Sequence, residues 1–366
     1  GGGIHAHMSN ISISNITFNS NTANGKGGAI FVNNGDISLS NSVISDNSAP
    51  DGGGGIYLDN SNAIINNVEI INNDTEHDGG GINMKNSTLE MSNSELIDNF
   101  SNNNGGAIIS QNSNFDIDYC NISNNYAYEG GGVILYQSTT ENHISNSTFS
   151  GNSTTELKGL FRAEYGAFVH MKNNIIWQNY NIGGVFHGLT NGLTPSQISY
   201  SLLDEVWQGS YDCEECINQN PLFSDPENND FTLQASSPSI DRGDPSSELD
   251  PDGTRADMGA YPFFQIPGCM DELACNYNSG ANISDNTCDY SCRENGDYSL
   301  SLNGFDNSII VDTGPSILGL KENLTISAWI KIPSNGNSSG IWNALIGAWN
   351  DYGINLYAGS TQNNGL

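Results

Sequence analysis

The sequence predicts an all-β chain whose main body is a parallel β-helix of about eight rungs, followed by a small cysteine-rich module and alternating strands that suggest an antiparallel sandwich. Three observations predict the β-helix. Isoleucine recurs every 26 residues at Ile4, Ile30, Ile56, Ile82, Ile108 and Ile134, each with glycine two and three positions earlier, from Gly1-Gly2 to Gly131-Gly132. A second column keeps step at Asn15, Asn41, Asn67, Asn93, Tyr119, Asn146, Asn173 and Tyr200, the last three steps being 27 residues, and Asn21, Asn47, Asn73, Asn99, Asn125, Asn152 and Asn179 follow six residues after each of the first seven. A period in this range marks a solenoid, propeller or array. Apolar residues also alternate within each copy, as in Ile37 and Leu39, which is the period of a strand with one buried face.

Each copy holds about three short strands: one after the glycine pair (Ile30, Val32), one before the asparagine (Ile37, Leu39) and one after it (Ile44). Stacking such copies places Ile13, Leu39, Ile65, Met91, Ile117, Ile144, Met171 and Ile198 in one inward column. Phe18, Ile44, Ile70, Leu96, Ile122, Phe149, Ile176 and Leu203 form another. No single copy could bury this surface alone. An amide both donates and accepts, so both asparagine columns are read as ladders between rungs. The glycines mark a bend with positive φ or close backbone approach. A leucine-rich repeat has a similar period, but leucine is scarce and the Asn/Ser/Gly runs offer no helical side.

At this point the copies resemble a known type. Gly27-Gly28-Ala29-Ile30 and Gly105-Gly106-Ala107-Ile108, with Phe18-Asn19-Ser20-Asn21 and Phe149-Ser150-Gly151-Asn152, look like the GGAI and FxxN repeats of polymorphic outer-membrane proteins and other right-handed β-helix surface proteins. The resemblance implies a right-handed β-helix at an extracellular or outer cell-surface location, often adhesive. Rungs are expected over residues 1–216. The chain opens inside a Gly-Gly element, so earlier rungs are expected to precede it.

Residues 217–266 change character, with Asn220-Pro221-Leu222-Phe223, Asp230-Phe231-Thr232-Leu233, Ser237-Pro238-Ser239-Ile240-Asp241-Arg242-Gly243-Asp244 and Asp252-Gly253-Thr254-Arg255 in order. They resemble the segment that closes many secreted bacterial β-helices, which implies a cap over the open end of the stack. Asp250, Asp252 and Asp257 around Gly253 are candidate calcium ligands, since hard cations take clustered carboxylates at a glycine turn. Turn-capping and ion pairs with Arg242 and Arg255 are the other reading. Calcium is the one cofactor expected.

Residues 267–297 carry Gly268-Cys269-Met270-Asp271 and Ala274-Cys275-Asn276-Tyr277, and resemble a short cysteine module found between domains of secreted proteins. So small a segment needs disulfides. Cys269, Cys275, Cys288 and Cys292 are the candidates there. Cys213 and Cys216 are either a disulfide or free thiols, with zinc as the alternative, and Cys120 packs within its rung. Residues 298–366, with strands at Tyr298–Asn303, Leu324–Lys331 and Tyr352–Leu356, resemble the first half of a laminin-G-like, concanavalin-A-like jelly roll.

The formal net charge is −31. Asp and Glu exceed Lys and Arg by 12 in residues 1–200 and by 12 again in residues 201–266. That balance argues against nucleic acid as a partner, and no apolar run approaches the length of a membrane-spanning helix. A polysaccharide lyase needs a basic residue beside the uronate proton and a hydrolase needs paired carboxylates. Residues 1–155 contain only Lys26 and Lys85 and no arginine. Catalytic candidates are therefore confined to the irregular stretch holding Glu156, Lys158, Arg162, Glu164 and His170. Asp74, Glu76, His77 and Asp78 form a second cluster, read as a solvated acidic turn or a weak divalent-ion site. Tyr126 and Tyr128 sit in a turn where they could stack on sugar rings. His5, Phe31 and Tyr57 share an outward column, but Asn83, Ile109 and Leu135 are expected to interrupt any aromatic platform there. A polysaccharide or cell-surface glycan is the expected partner, with a glycan-active enzyme and a plain spacer as the competing readings.

Overall fold

The computed structural model describes residues 1–136, 141–156, 160–164, 169–180, 186–187, 197–204, 213–290, 343–346 and 356–358, in two units, 1–294 and 295–366. In the second unit the described residues are an antiparallel pair, Asn343–Ile346 with Leu356–Ala358. The strands expected at 298–303 and 324–331, that at 352–356 except for Leu356, and Cys292 lie outside the described residues.

The first unit is a parallel β-helix with three faces. Its first face stacks eight parallel strands: Ile4–His7, Ile30–Asn33, Ile56–Asp59, Ile82–Lys85, Ile108–Gln111, Val133–Tyr136, Phe161–Glu164 and Phe186–His187. The second face is bent, and the two strands expected on either side of the asparagine join in one sheet. In Asp36–Ser45 and Asn62–Ile71 they are a single ten-residue strand. A third, narrow face, not foreseen as a strand, stacks Ser48–Ala49, Asp74–Thr75, Phe100–Asn104, Tyr126–Glu129 and Ser153–Thr154.

Both predicted core columns of the second face hold in register. Ile13 pairs through to Ile198 and Phe18 through to Leu203, and Cys213 extends the first column by one step. On the first face the register departs from the 26-residue arithmetic. Ile108 pairs with Val133, and it is Ile109 that pairs with Ile134. The bend explains the slip: Gly27, Gly53, Gly79 and Gly105 have φ between +64° and +71°, and the next residue in that conformation is Gly130, at +63°. The loop before Val133 is one residue short, so Leu135 pairs with Ser110 and Ile134 takes the register position expected of Leu135. At Gly80 the limit is space. A Cβ there would lie 2.6 Å from the carbonyl oxygens of both Gly106 and Phe100.

The two asparagine columns have different jobs. All eight members of the Asn15 column, Tyr119 and Tyr200 included, have φ between +45° and +57°. They turn the corner inside the second face, and asparagine is the residue other than glycine that enters this region most readily. Ladder bonds do occur on that column, from Asn67 to Asn41 (2.8 Å) and Asn173 to Asn146 (2.9 Å), and the first of these is exposed.

The Asn21 column is the buried ladder. Each side-chain Nδ2 from Asn21 to Asn152 donates to Oδ1 of the next rung's asparagine at 2.8–3.0 Å. Each backbone N–H donates to that same Oδ1 at 2.9–3.1 Å. From Asn47 onward Nδ2 also donates to a main-chain carbonyl, such as that of Ile44 or Ile70. Two donors and two acceptor positions are thus filled on each interior amide, as burial demands. A third polar column, missed in the sequence, uses small hydroxyls: Val68 N–H donates to Ser94 Oγ at 3.1 Å, and Cys120 N–H to Ser147 Oγ at 3.1 Å. Cys120 occupies a serine position in this column, and its buried thiol, pushed up to about 12 by desolvation, packs within its rung.

The segment 217–266 was expected over the open end of the stack. Its described contacts run along the flank of the second face. Gly259 N–H donates to Asn173 O, Ala260 N–H to Thr148 Oγ1 at 3.0 Å, and the Tyr261 hydroxyl reaches the Glu95 carboxylate. The sequence cue is the outward column Val43, Glu69, Glu95, Asn121, Thr148, Ile175, Leu202, whose last two members are apolar and covered. Ile175 and Leu202 are buried there with Phe223, Phe231, Leu233 and Met258. Phe223–Asp225 and Asp230–Leu233 form the antiparallel hairpin of this layer.

Cys213–Cys216 and Cys269–Cys288 are disulfides, and Cys275 is disulfide-bonded as well. The disulfide at Cys213–Cys216 replaces the zinc alternative. It caps the core column with two half-buried cysteines packed against the main cluster.

Candidate functional site

The third face is where the fold presents large aromatic side chains to solvent. Its inward positions, Ala49, Thr75, Ser101, Ala127 and Thr154, are all small and at most 1% exposed. The corner is tight because the asparagine ladder runs beside it, two residues earlier in each rung. Nothing limits the size of the outward positions. There Asp74 pairs with Phe100, Phe100 with Tyr126, and Tyr126 with Ser153.

The rings of Phe100 and Tyr126 stack at 5.2 Å between centroids, 7° from parallel. Both remain more than a third exposed, as do Tyr128 and Tyr180 nearby. Hydroxyl partners orient the tyrosines: Tyr126 OH shares a hydrogen bond with Thr155 Oγ1, and Tyr128 OH donates to Glu156 Oε1 at 2.9 Å. Stacked rings flanked by carboxylates and hydroxyls offer an apolar surface beside hydrogen-bonding groups.

The acidic turn belongs to the same edge. Asp74 accepts Ser48 Oγ at 2.9 Å, and Asp78 Oδ1 accepts the side-chain amides of Asn103 and Asn104, both at 2.9 Å. Glu76 and His77 are exposed. These side chains brace the turn and face water.

The stretch singled out for catalysis is divided among the faces. Glu156 follows the third-face strand Ser153–Thr154; Arg162 and Glu164 lie on the first face, and His170 on the second. Arg162 is ion-paired to Glu129, both largely buried. Lys158 lies outside the described residues. The sequence proximity of these residues reflects an irregular rung, and the turns between faces separate them.

His170 instead joins residues that the sequence reading did not group. The outward column there runs Glu90, Asp116, His143, His170, Gln197. The two imidazoles stack at 5.3 Å and 17°, beside an open cleft of about 540 Å³ that Glu141 and Lys172 also line. Two histidines 27 residues apart, at matching positions before Ile144 and Met171, were the available signal.

The carboxylates proposed for calcium are held by main-chain donors. Asp257, 3% exposed, accepts the N–H of Asp241 and of Phe263, both at 2.7 Å. Asp250 accepts Asp257 N–H at 2.8 Å, and Asp252 accepts Thr254 N–H at 3.0 Å and Gln265 N–H at 2.7 Å. These are the bonds of the turn-capping alternative. Arg255 Nε donates to Gly243 O at 2.6 Å. Burial pushes the Asp257 carboxyl up to about 7; the two amides oppose this, and the neighbouring charges of Asp250 and Asp241 add to it. Among the described residues no three His, Cys, Asp or Glu side chains are already arranged to hold a metal ion.

The outward column of the first face is aromatic over three rungs, as the sequence places it, and continues with Asn83 and Ile109. His5 stacks on Phe31 at 4.6 Å, Phe31 meets Tyr57 edge-on at 5.5 Å, and Lys26 Nζ lies 4.3 Å from the Tyr57 centroid. Tyr57 is 5% exposed, Phe31 is half-buried and His5 is exposed, so the column opens to solvent only at its first rung.

Comparison with known families agrees with the architecture. Residues 29–198 match the family model described as a right handed beta helix region, and residues 15–33 match the Chlamydia polymorphic membrane protein repeat. The second match spans Phe18–Asn21 and Gly27–Ile30, one FxxN and one GGAI element. No curated protein and no solved structure matches the chain.

Proposed function

We propose that the chain is a surface-exposed adhesive protein whose β-helix binds glycan along the third-face edge. The observation that carries this reading is the exposed Phe100–Tyr126 stack with polar groups on both sides of it. The outer face of Phe100 looks toward the rung of Asp74, whose short carboxylate leaves room for a sugar ring and accepts its hydroxyls. Tyr126 and Tyr128, oriented by Thr155 and Glu156, extend the surface by one rung. Rungs repeat at about 4.8 Å, close to the length of one pyranose, so a glycan lying along the axis meets an equivalent position at each residue. The match to a polymorphic membrane protein repeat supports a location at the cell surface.

The test is a glycan array followed by calorimetry on the best ligand. Phe100→Ala and Tyr126→Ala should each weaken binding about tenfold or more, while Phe31→Ala on the first face leaves it unchanged. Equal affinity in all three variants would remove the third face as the binding edge. No glycan binding at all would leave the spacer reading.

A further inference from the structure

We infer that His143, His170 and Glu141 on the second face form a binding site for a first-row divalent cation of the zinc type, separate from the aromatic edge of the third face. The column Asp116, His143, His170 brings one carboxylate and two imidazoles onto successive rungs of a parallel sheet, in register. Glu141 reaches over both rings. Its Oε2 lies 3.9 Å from His143 Nε2 and 3.6 Å from His170 Nε2. Those separations exceed hydrogen-bond length, and they approach the distance between two donors that share one cation. With bonds of about 2.0–2.2 Å in tetrahedral geometry, two ligands of zinc stand about 3.3–3.5 Å apart. One carboxylate oxygen near that distance from two imidazole nitrogens is two edges of such a polyhedron.

The donor set selects the metal. Two imidazoles with one or two carboxylates suit zinc, nickel or copper, whereas calcium takes oxygen donors only. The fourth position is available to Asp116, which pairs with His143 in register on the preceding rung and lines the same cleft. Lys172 lines the same cleft, but its ammonium is held 3.5 Å from Asp244 Oδ2.

The centre is not preformed. The stacked rings, 5.3 Å apart, must tilt toward each other to share an ion. The movement falls to the exposed side chains of His143 and Glu141, 48% and 60% exposed, closing on His170, which is 28% exposed and the more fixed of the three. The sheet beneath them is rigid, because Ile144 and Met171, the next residues along, are core.

The experiment is zinc titration of the whole chain by calorimetry, with histidine resonances followed by NMR. Zinc should shift His143 and His170 together at one equivalent, and excess calcium should not displace it. His143→Ala and His170→Ala should each weaken zinc by at least about tenfold, about 1.4 kcal/mol, and Glu141→Gln should weaken it measurably. His77→Ala, on the third face, should change nothing. Circular dichroism of each variant confirms that the fold persists. Zinc binding that survives the double change His143→Ala/His170→Ala, or no shift of either ring at millimolar zinc, overturns the proposal.

Discussion

Replacing Asn99 by alanine tests what the buried ladder contributes. Asn99 is fully buried and takes part in four side-chain hydrogen bonds: it donates to Ile70 O at 2.8 Å and Asn125 Oδ1 at 3.0 Å, and accepts from Asn73 N–H at 3.1 Å and Asn73 Nδ2 at 3.0 Å. Alanine leaves Asn73 with an unpaired main-chain N–H and one unpaired amide hydrogen, both inside the core. Asn125 Oδ1 keeps its bond from Asn99 N–H. Each stranded buried donor costs about 1–3 kcal/mol, so the expected loss is about 2–6 kcal/mol. Asn67→Ala is the matched control. It sits at the corner with φ of +54° and an exposed side chain, where the left-handed backbone costs alanine about 1–2 kcal/mol and Asn67→Gly should be nearly neutral. Urea unfolding followed by circular dichroism gives the ranking, and hydrogen exchange shows whether the loss centres on the rungs of Asn73 and Asn99. If Asn99→Ala proves no more costly than Asn67→Ala, the ladder contributes shape and not stability, and the reasoning fails.

Three further outcomes follow from the same structure. The Asp257 carboxyl titrates near 7 in the folded chain and near 3.9 when unfolded, so between those values the folded state holds the extra proton and stability falls as pH rises; melting should be lower at pH 8 than at pH 5, and Asp257→Asn should flatten that difference. Gly80→Ala should prevent correct stacking or cost several kcal/mol, since its Cβ would meet two carbonyl oxygens; normal expression and an unchanged melting temperature would contradict this. Cys120→Ser should be tolerated within about 1 kcal/mol, because its column already holds Ser94 and Ser147 and a hydroxyl can replace a buried thiol that bonds to main-chain oxygen; the native thiol should resist a disulfide reagent until the chain unfolds.

Legibility in the sequence followed physical constraint. The second-face columns could be read residue by residue because each position is fixed by burial and by the rungs above and below. The Ile134 column failed at one step, where a glycine run of three, Gly130 to Gly132, left the choice of bend residue open and the backbone used Gly130. Asparagine was ambiguous for another reason. The same side chain suits a left-handed corner and a buried amide ladder, and only φ and burial separate the Asn15 column from the Asn21 column. The catalytic candidates were grouped by chain proximity, and the fold sets Arg162 on the first face, His170 on the second and Glu156 after a third-face strand. The histidine pair was visible only once His143 and His170 were placed on adjacent strands.

The buried ladder also has a direction. Every amide from Asn21 to Asn152 donates toward the higher-numbered rung, and from Asn47 onward each also accepts from the lower one, with the backbone N–H following the same sense. The stack is a line of aligned dipoles, so its two ends are chemically unlike: one asks for a donor and the other for an acceptor. Two such β-helices can therefore join end to end only in the same sense, tail onto head. A head-to-head junction would set acceptor against acceptor at the buried corner beside the third face.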